Sequence, residues 1–288
     1  MSANLLDLSG KVDALTIAII DAIATITAAN DIRFFLVGAT ARDIILHYGY
    51  GIGVGRATED IDLGVQVSDW TEFGRLKEEL LEIRGFESTK ETQRLLYQNH
   101  TPVDIVPFGD IQEQGNEISW PPDQSIRMSV LGFEDAYRSA QWVRLRSDPR
   151  LDVLVATPAG LATLKLIAWS DNPTERRKDA LDLAFLLRVY MDIGTNDKRL
   201  LSEHDDLLNA DEFDYELAGA RLLGRDMATL AAQETKQTLI DILAQETGKS
   251  DRFRLVQDMR RGTDSESFDK NLLLLEALEQ GLVETNGL

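Results

Sequence analysis

The spacing of hydrophobic residues changes near residue 157 of this chain. Before that point, short runs alternate polar and apolar residues or form brief apolar stretches, as strands of a half-buried sheet do. After it, apolar residues recur every three or four positions, which predicts helices. The pattern therefore predicts an α+β fold, with a mixed β-sheet core flanked by helices over residues 1–156 and a helical part over residues 157–288.

The same spacing predicts the elements of each part. Thr157 is a good N-cap and Pro158 suits the first position of a helix, which supports the boundary. In the first part we predict helices over 5–29, 40–48 and 70–84, and strands over 34–37, 58–67, 93–97, 103–108, 141–145 and 153–156. In the second part we predict helices over 160–170, 175–192, 212–233, 237–246, 250–259 and 268–282.

Two carboxylates stand out in this pattern. Asp60 and Asp62 lie two positions apart in an alternating run, so both project from the same face of a predicted strand. Carboxylates this close repel each other unless a cation lies between them. Asp104 lies inside an apolar strand, where an unpaired carboxylate costs several kcal/mol, and is a candidate third ligand or a base. The alternatives are that Asp104 faces water on an edge strand and that the Asp-x-Asp spacing is accidental.

Magnesium is the ion that these carboxylates predict, with Mn²⁺ as the alternative, because Mg²⁺ is shared between carboxylates and substrate phosphates. Upstream, Gly38, Ala39 and Thr40 form a turn of small residues between a strand and a helix. A helix start favours phosphate, Gly38 allows close backbone approach, and the Thr40 hydroxyl can donate a hydrogen bond. The pattern indicates a site for a magnesium nucleoside triphosphate (NTP). An ordinary strand-to-helix turn is the alternative interpretation.

The segment from Phe35 to Asp43, followed by Asp60-Ile61-Asp62-Leu63, resembles the signature of the DNA polymerase β-like nucleotidyltransferase superfamily. Its Ala-Arg-Asp element is similar to that of the poly(A) polymerase and tRNA CCA-adding branch, and it implies that Arg42 belongs to the nucleotide site. The superfamily has Gly-Gly or Gly-Ser where this chain has Gly38-Ala39, which removes a phosphate-binding hydroxyl.

A second stretch resembles the helical motif of AbiEii/AbiGii-type nucleotidyltransferase toxins, and the resemblance covers roughly residues 33–190. It implies that Lys165 is the lysine of that motif and that Asp179 or Asp182 is its aspartate. It also implies that the helical part completes the active-site cleft, where Lys165 stabilises charge on the leaving pyrophosphate. The alternative is that all three are ordinary charges on helix surfaces.

Composition narrows the choice of chemistry. The chain has no cysteine and three scattered histidines, which excludes disulfides, cysteine nucleophiles and thiolate or zinc sites. The sequence predicts no membrane segment and a cytoplasmic protein. A net charge of −19 opposes tight binding to nucleic acid, so an RNA substrate would need a basic track such as Arg138, Arg144, Arg146 and Arg150. We interpret His47 and His100 as bystanders.

The predicted reaction is the metal-dependent transfer of a nucleoside monophosphate from an NTP to a hydroxyl acceptor. The acceptor remains open among an RNA 3′ end such as that of tRNA, a protein side chain and a small molecule. The resemblance implies a toxin or defence protein with a neighbouring antitoxin as partner. The alternative function is a catalytically weak module of a toxin–antitoxin pair that binds nucleotide or a partner, which Ala39 keeps open.

Overall fold

The computed structural model describes residues 5–53, 60–98, 100–208, 213–248, 252–260 and 265–284. The chain separates into two compact units, Met1–Thr157 and Pro158–Leu288. The described part of the first unit holds a mixed β-sheet with helices, and that of the second is helical. The predicted α+β fold class is therefore confirmed. Within the described residues, no helix is both long enough and apolar enough to cross a membrane.

The strands of the first unit form a mixed sheet and a separate hairpin. They are β1 Leu6–Asp7, β2 Arg33–Leu36, β3 Ile61–Gln66, β4 Phe86–Ser88, β5 Arg94–Tyr97, β6 Thr101–Phe108, β7 Glu117–Trp120, β8 Ile126–Ser129, β9 Gln141–Arg146 and β10 Leu151–Val155. The sheet has the order β1-β9-β10-β2-β3-β6-β5-β4, and β7 pairs with β8. Strand β3 is antiparallel to β2 and parallel to β6. The spacing analysis did not predict β1, β4 or the β7–β8 hairpin, all of which are short.

The helices of the first unit begin at local signals. They are α1 Ala14–Ala29, α2 Gly38–Arg42, α3 Trp70–Glu82 and α4 Phe133–Arg138, and α2 continues as a π-helix over Asp43–Gly49. The predicted helix over 5–29 is wrong for residues 5–13, because Gly10 adopts a positive φ of 77° and interrupts the apolar spacing. The Asp13 side chain then caps α1 by accepting a hydrogen bond from the Thr16 amide.

The second unit consists of helices in its described residues. They are α5 Pro158–Asp171, α6 Arg177–Val189, α7 Asn196–Ser202, α8 Tyr215–Leu230, α9 Gln233–Glu246, α10 Arg254–Asp258 and α11 Ser265–Val283, with 3₁₀ turns at Tyr190–Asp192 and Asp205–Leu208. Helices α8 and α11 approach closely at two glycines. A Cβ at Gly224 would lie 2.3 Å from the Leu278 carbonyl oxygen, and one at Gly281 would lie 2.0 Å from that of Arg221. The contact therefore requires glycine at both positions.

Alternation along the central strands places the polar side chains on one face. In β3, Ile61 and Leu63 are buried while Asp62 between them is half-buried. In β6, Val103 and Ile105 are buried while Asp104 is half-buried. Burial of each large apolar side chain stabilises the unit by roughly 1.5–3 kcal/mol, which fixes the face that each strand presents. The carboxylates are thus held on the partly open face of the sheet.

Candidate active site

Strand register aligns three charged residues across the sheet. Asp62 of β3 is the partner of Asp104 in the parallel β6, and Asp104 is the partner of Arg94 in the antiparallel β5. Residues paired in register project from the same face of a sheet. We call Asp62, Asp104 and Arg94 the strand row. Asp60 precedes β3 by one residue and lies two positions before Asp62.

Gly38 is required because Asp62 lies against it. Gly38 has a φ of +60°, and a Cβ there would come within 2.2 Å of Asp62 Oδ2. The next amide, of Ala39, donates a hydrogen bond of 3.2 Å to the same oxygen. The sequence predicted that phosphate would bind these backbone groups. In the structure the Ala39 amide donates to a carboxylate of the protein, which orients Asp62, and the phosphate contact of Ala39 stays a prediction.

The Thr40 hydroxyl joins α2 to the acidic segment. It donates a hydrogen bond of 2.7 Å to the Asp60 carbonyl oxygen and accepts one of 3.3 Å from the Asp62 amide. A hydroxyl has one proton to donate, and here that proton is used within the protein. The role of Thr40 as a phosphate donor stays a prediction. In the structure its contacts fix the backbone that carries both carboxylates.

Asp104 is bound by Arg94 through both of its oxygens. Arg94 Nε donates to Oδ1 over 2.7 Å and Nη2 donates to Oδ2 over 2.6 Å. These hydrogen bonds raise the pKa of the Arg94 guanidinium against the opposing effect of burial, and the charge of Asp60 adds to the rise. Among the described residues, no group of three or more His, Asp or Glu side chains is placed to hold a metal ion. Asp104 thus pairs with Arg94, and its role as a third metal ligand stays a prediction.

A cavity of about 370 Å³ opens beside the acidic segment. Its lining includes Thr40, Asp43, Tyr48, Asp60 and His100. Burial raises the pKa of the Tyr48 hydroxyl, and the charges of Asp13 and Asp43 add to the rise. The sequence analysis did not select Asp13 or Tyr48 and treated His100 as a bystander. No sequence signal links these residues, because they come from the start of α1, the π-helix and the β5–β6 turn.

Arg42 and His47 lie on the helical segment after Gly38. The Arg42 side chain is only 6% exposed, and its Nε donates a hydrogen bond of 2.9 Å to Asp43 Oδ1. The His47 ring packs edge-on against that of Tyr48. The implied role of Arg42 in the nucleotide site stays a prediction.

The second unit contains its own charged group, which we call the helix cluster. Lys165 Nζ lies 3.1 Å from Asp179 Oδ1 and 2.6 Å from Asp182 Oδ2, so the lysine contacts both candidate aspartates. Burial disfavours the charged ammonium, but the two carboxylates outweigh it and raise the pKa of Lys165. The Lys165 side chain is only 7% exposed, which removes the alternative of a solvated surface lysine. The implied contact with triphosphate stays a prediction.

The predicted basic track is not available as a set of free cations. Arg138 pairs with Glu134 at 2.9 Å, and Arg146 pairs with Asp21 at 2.9 Å. Arg144 and Arg150 both pair with Asp152. Each of these guanidinium groups is therefore paired with a carboxylate of the same unit.

The sequence matches, over residues 22–272, the family described as "Nucleotidyl transferase AbiEii toxin, Type IV TA system". The chain belongs to the AbiEii nucleotidyltransferase toxin family. The match covers most of both units and confirms the implied family and the assignment of the chain as a nucleotidyltransferase. AbiEii membership also supports the toxin role that the Lys165 motif implied. No curated protein matches this AbiEii chain.

Three solved structures are similar to this chain at low sequence identity. The antibiotic-resistance factor ANT(2'')-Ia is 14% identical with a TM-score of 0.34, and the match covers 68% of this AbiEii chain and 97% of that protein. A CCA-adding enzyme with ATP is 15% identical with a TM-score of 0.33, and the match covers 90% of this chain and 66% of that enzyme. The Thermotoga maritima CCA-adding enzyme with tRNA is 12% identical with a TM-score of 0.32, covering 96% and 82%.

Proposed function

We propose that this chain transfers a nucleoside monophosphate from an NTP to a hydroxyl acceptor in a metal-dependent reaction. The proposal rests on the position of Asp62. This side chain lies against Gly38 and accepts a hydrogen bond from the Ala39 amide. Two residues away, the Thr40 hydroxyl donates to the Asp60 backbone carbonyl oxygen, and Asp60 lines the cavity. Preorganised carboxylates beside a cavity suit a charged substrate that arrives with its cation.

Asp60 and Asp62 fit a magnesium ion, with manganese as the alternative. Their carboxylates are hard oxygen donors, and Mg²⁺ is usually held by one or two carboxylates together with substrate phosphates. When bound, the ion supplies Lewis-acid stabilisation of the charge on the phosphoryl oxygens. In this arrangement Asp104 stays with Arg94 and is not needed as a ligand.

The reaction exchanges one phosphorus–oxygen bond for another. The acceptor oxygen bonds to the α-phosphorus while the bond from that phosphorus to the bridging oxygen breaks, so pyrophosphate leaves with its electron pair. The hydroxyl proton passes to a carboxylate at the site. The protein's contribution is to position the reacting groups in a site where charge is already arranged.

Labelled NTPs, magnesium and cell extract test this proposal directly. We expect label transfer to a component of the extract together with pyrophosphate release, and loss of both in the Asp60→Ala/Asp62→Ala double variant. Asp110→Ala is the control, because Asp110 is an exposed acid in the turn after β6. Label transfer that survives in the double variant would overturn the assignment. Magnesium-dependent NTP binding without pyrophosphate release for any acceptor would instead favour a binding module.

The family supports a toxin role, and we propose that a neighbouring antitoxin is its partner. Expression of the wild-type chain should slow bacterial growth, and Asp62→Ala should restore growth at equal protein level. Equal growth inhibition by both proteins would separate toxicity from nucleotidyl transfer.

The charge distribution bears on the acceptor. With a net charge of −19 and the four arginines of the predicted track paired to carboxylates, we propose that any RNA acceptor binds weakly. Each phosphate contact contributes roughly −0.7 to −0.9 to the slope of log affinity against log salt, so binding should weaken steeply with salt. A nanomolar tRNA dissociation constant at physiological salt would contradict this and favour RNA over a protein or small molecule.

A further inference from the structure

Arg94 is placed to do more than neutralise Asp104. A guanidinium has five N–H donors in a planar fork. Two of its nitrogens, Nε and Nη2, bind Asp104, and Glu91 lies 3.6 Å from Nε. In the described part of the chain, Nη1 makes no hydrogen bond, and 32% of the Arg94 side chain is exposed. One edge of the guanidinium therefore remains available to a ligand.

The available edge belongs to the same sheet face as the acidic pair. Asp62, Asp104 and Arg94 occupy consecutive strands in register, and the Asp60 charge acts on Arg94. Neighbouring strands are about 4.8 Å apart, so Arg94 is two strand spacings from Asp62. A triphosphate or pyrophosphate that shares a cation with Asp60 and Asp62 can span this distance.

The bidentate contact with Asp104 determines how Arg94 is held. Fork-to-carboxylate pairing fixes the plane of the guanidinium, which lowers the entropy cost of binding a second anion. Asp104 lies in an apolar strand between buried neighbours, where its own orientation is restricted. In the strand row, Asp104 therefore holds the Arg94 guanidinium in a fixed orientation.

We propose that Arg94 binds the phosphates of the nucleotide and of the leaving pyrophosphate, and that Asp104 is a positioning residue that orients Arg94. This inference rests on the proposed function, because it assumes that Asp60 and Asp62 hold a magnesium–phosphate complex. It assigns the third acid of the sheet a role different from the metal ligand that the sequence predicted. Lysine lacks the fork and cannot replace arginine fully.

Magnesium pyrophosphate is the best probe, because it is released whichever NTP is used. We would titrate the full-length protein with pyrophosphate in a calorimeter at several magnesium concentrations. Arg94→Ala should weaken binding roughly 10- to 100-fold, the range for one charged hydrogen bond, and Arg94→Lys should fall between it and the wild type. Asp104→Asn should weaken binding less than Arg94→Ala, without changing the magnesium concentration required. The double variant should bind no more weakly than Arg94→Ala.

Arg144→Ala is the matched control. Arg144 forms the same cross-strand fork with Asp152, with hydrogen bonds of 2.8 and 3.2 Å, on strands β9 and β10. It should lose similar stability to Arg94→Ala but keep the wild-type pyrophosphate affinity. An affinity of Arg94→Lys and Arg94→Ala equal to that of the control would overturn the proposal.

Two further outcomes separate this inference from the proposed function. A higher magnesium requirement in Asp104→Asn, matching that of Asp62→Asn, would make Asp104 a ligand and overturn the inference alone. Failure of the wild-type protein both to bind magnesium pyrophosphate and to release pyrophosphate from NTPs would remove the proposed function itself.

Discussion

The strand row and the helix cluster contain the same types of groups but use them differently. In the helix cluster, the Lys165 ammonium is buried between two carboxylates, so its charge is used within the protein. In the strand row, Arg94 hydrogen-bonds one carboxylate, lies 3.6 Å from a second on Glu91, and keeps an exposed edge. A buried charge must be paired, because the desolvation cost of an unpaired one is several kcal/mol. The partly exposed row can instead offer its remaining donors to a ligand.

The comparison shows that the position of a residue in a motif does not by itself set the partner of its side chain. Asp104 satisfied the sequence criteria for a third ligand, yet the neighbouring strand supplies an arginine that takes both its oxygens. Lys165 satisfied the criteria for a cation facing triphosphate, and in the structure it contacts two carboxylates of α6. The protein partner of a charged group decides which of its atoms remain for chemistry.

The largest expected effect is the loss of activity when Asp60 and Asp62 are replaced. Replacing Asp60 and Asp62 together with Asn should lower the transfer rate by roughly a thousandfold or more, since several kcal/mol of charge stabilisation are lost. Stability should not fall, because repulsion between the two carboxylates is removed. Pyrophosphate release and thermal unfolding of the same samples measure both. A large loss of stability would mean that the acids are structural, as we expect of the helix cluster.

The second prediction concerns the helix cluster. Lys165→Met should destabilise the protein by about 3–5 kcal/mol, because it leaves two partly buried carboxylates without their shared cation. Arg94→Met should cost only about 1 kcal/mol, because the strand-row pair is partly exposed and screened by solvent. Urea unfolding measures both values. The triple variant Lys165→Met/Asp179→Asn/Asp182→Asn should recover part of the stability lost in Lys165→Met. Equal losses of unfolding free energy in Lys165→Met and Arg94→Met would contradict the difference between the helix cluster and the strand row.

The third prediction isolates the contact between Gly38 and Asp62. Gly38 and Gly51 both have positive φ, at +60° and +70°, but only a Cβ at Gly38 would meet another atom. Gly51→Ala should cost about 1 kcal/mol through backbone strain alone. Gly38→Ala should cost more and should also displace Asp62, lowering activity further than stability explains. Comparison of rate and unfolding free energy for the two variants is the test, and matching activities would show that the contact does not position Asp62.

The smallest expected effect is a difference in pH dependence between the two groups. The folded state raises the pKa of Lys165 above its ordinary value of 10.5. Its contribution to stability is therefore present below pH 10.5 and is lost as the pH rises through the folded-state pKa. Arginine stays charged throughout the accessible range, so the strand row adds no alkaline loss. Thermal unfolding from pH 9 to 12 should show a fall in stability above pH 10.5. The fall should be smaller in the Lys165→Met variant, where only the other groups with raised pKa values, such as buried Tyr190, still contribute.

Alternation and helical spacing determined the broad outline of this protein. They predicted the strands over 34–37 and 103–108 and the change to helices after residue 157, because side-chain burial depends on local period. They also predicted Asp60 and Asp62 on one face of a strand, whereas in the structure Asp62 is in β3 and Asp60 precedes it by one residue. They failed for residues 5–13, where an apolar spacing continues through a turn that Gly10 and Asp13 impose.

The motifs determined the family and the choice of Asp60, Asp62 and Lys165 as candidates, since their spacing is local along the chain. Only the tertiary structure decided which partner each side chain meets. Arg94 reaches Asp104 through the register of β5 on β6, and the Ala39 amide reaches Asp62 because the turn at Gly38 lies against β3. Partners far apart in sequence are chosen by strand register and close packing, which local patterns do not encode.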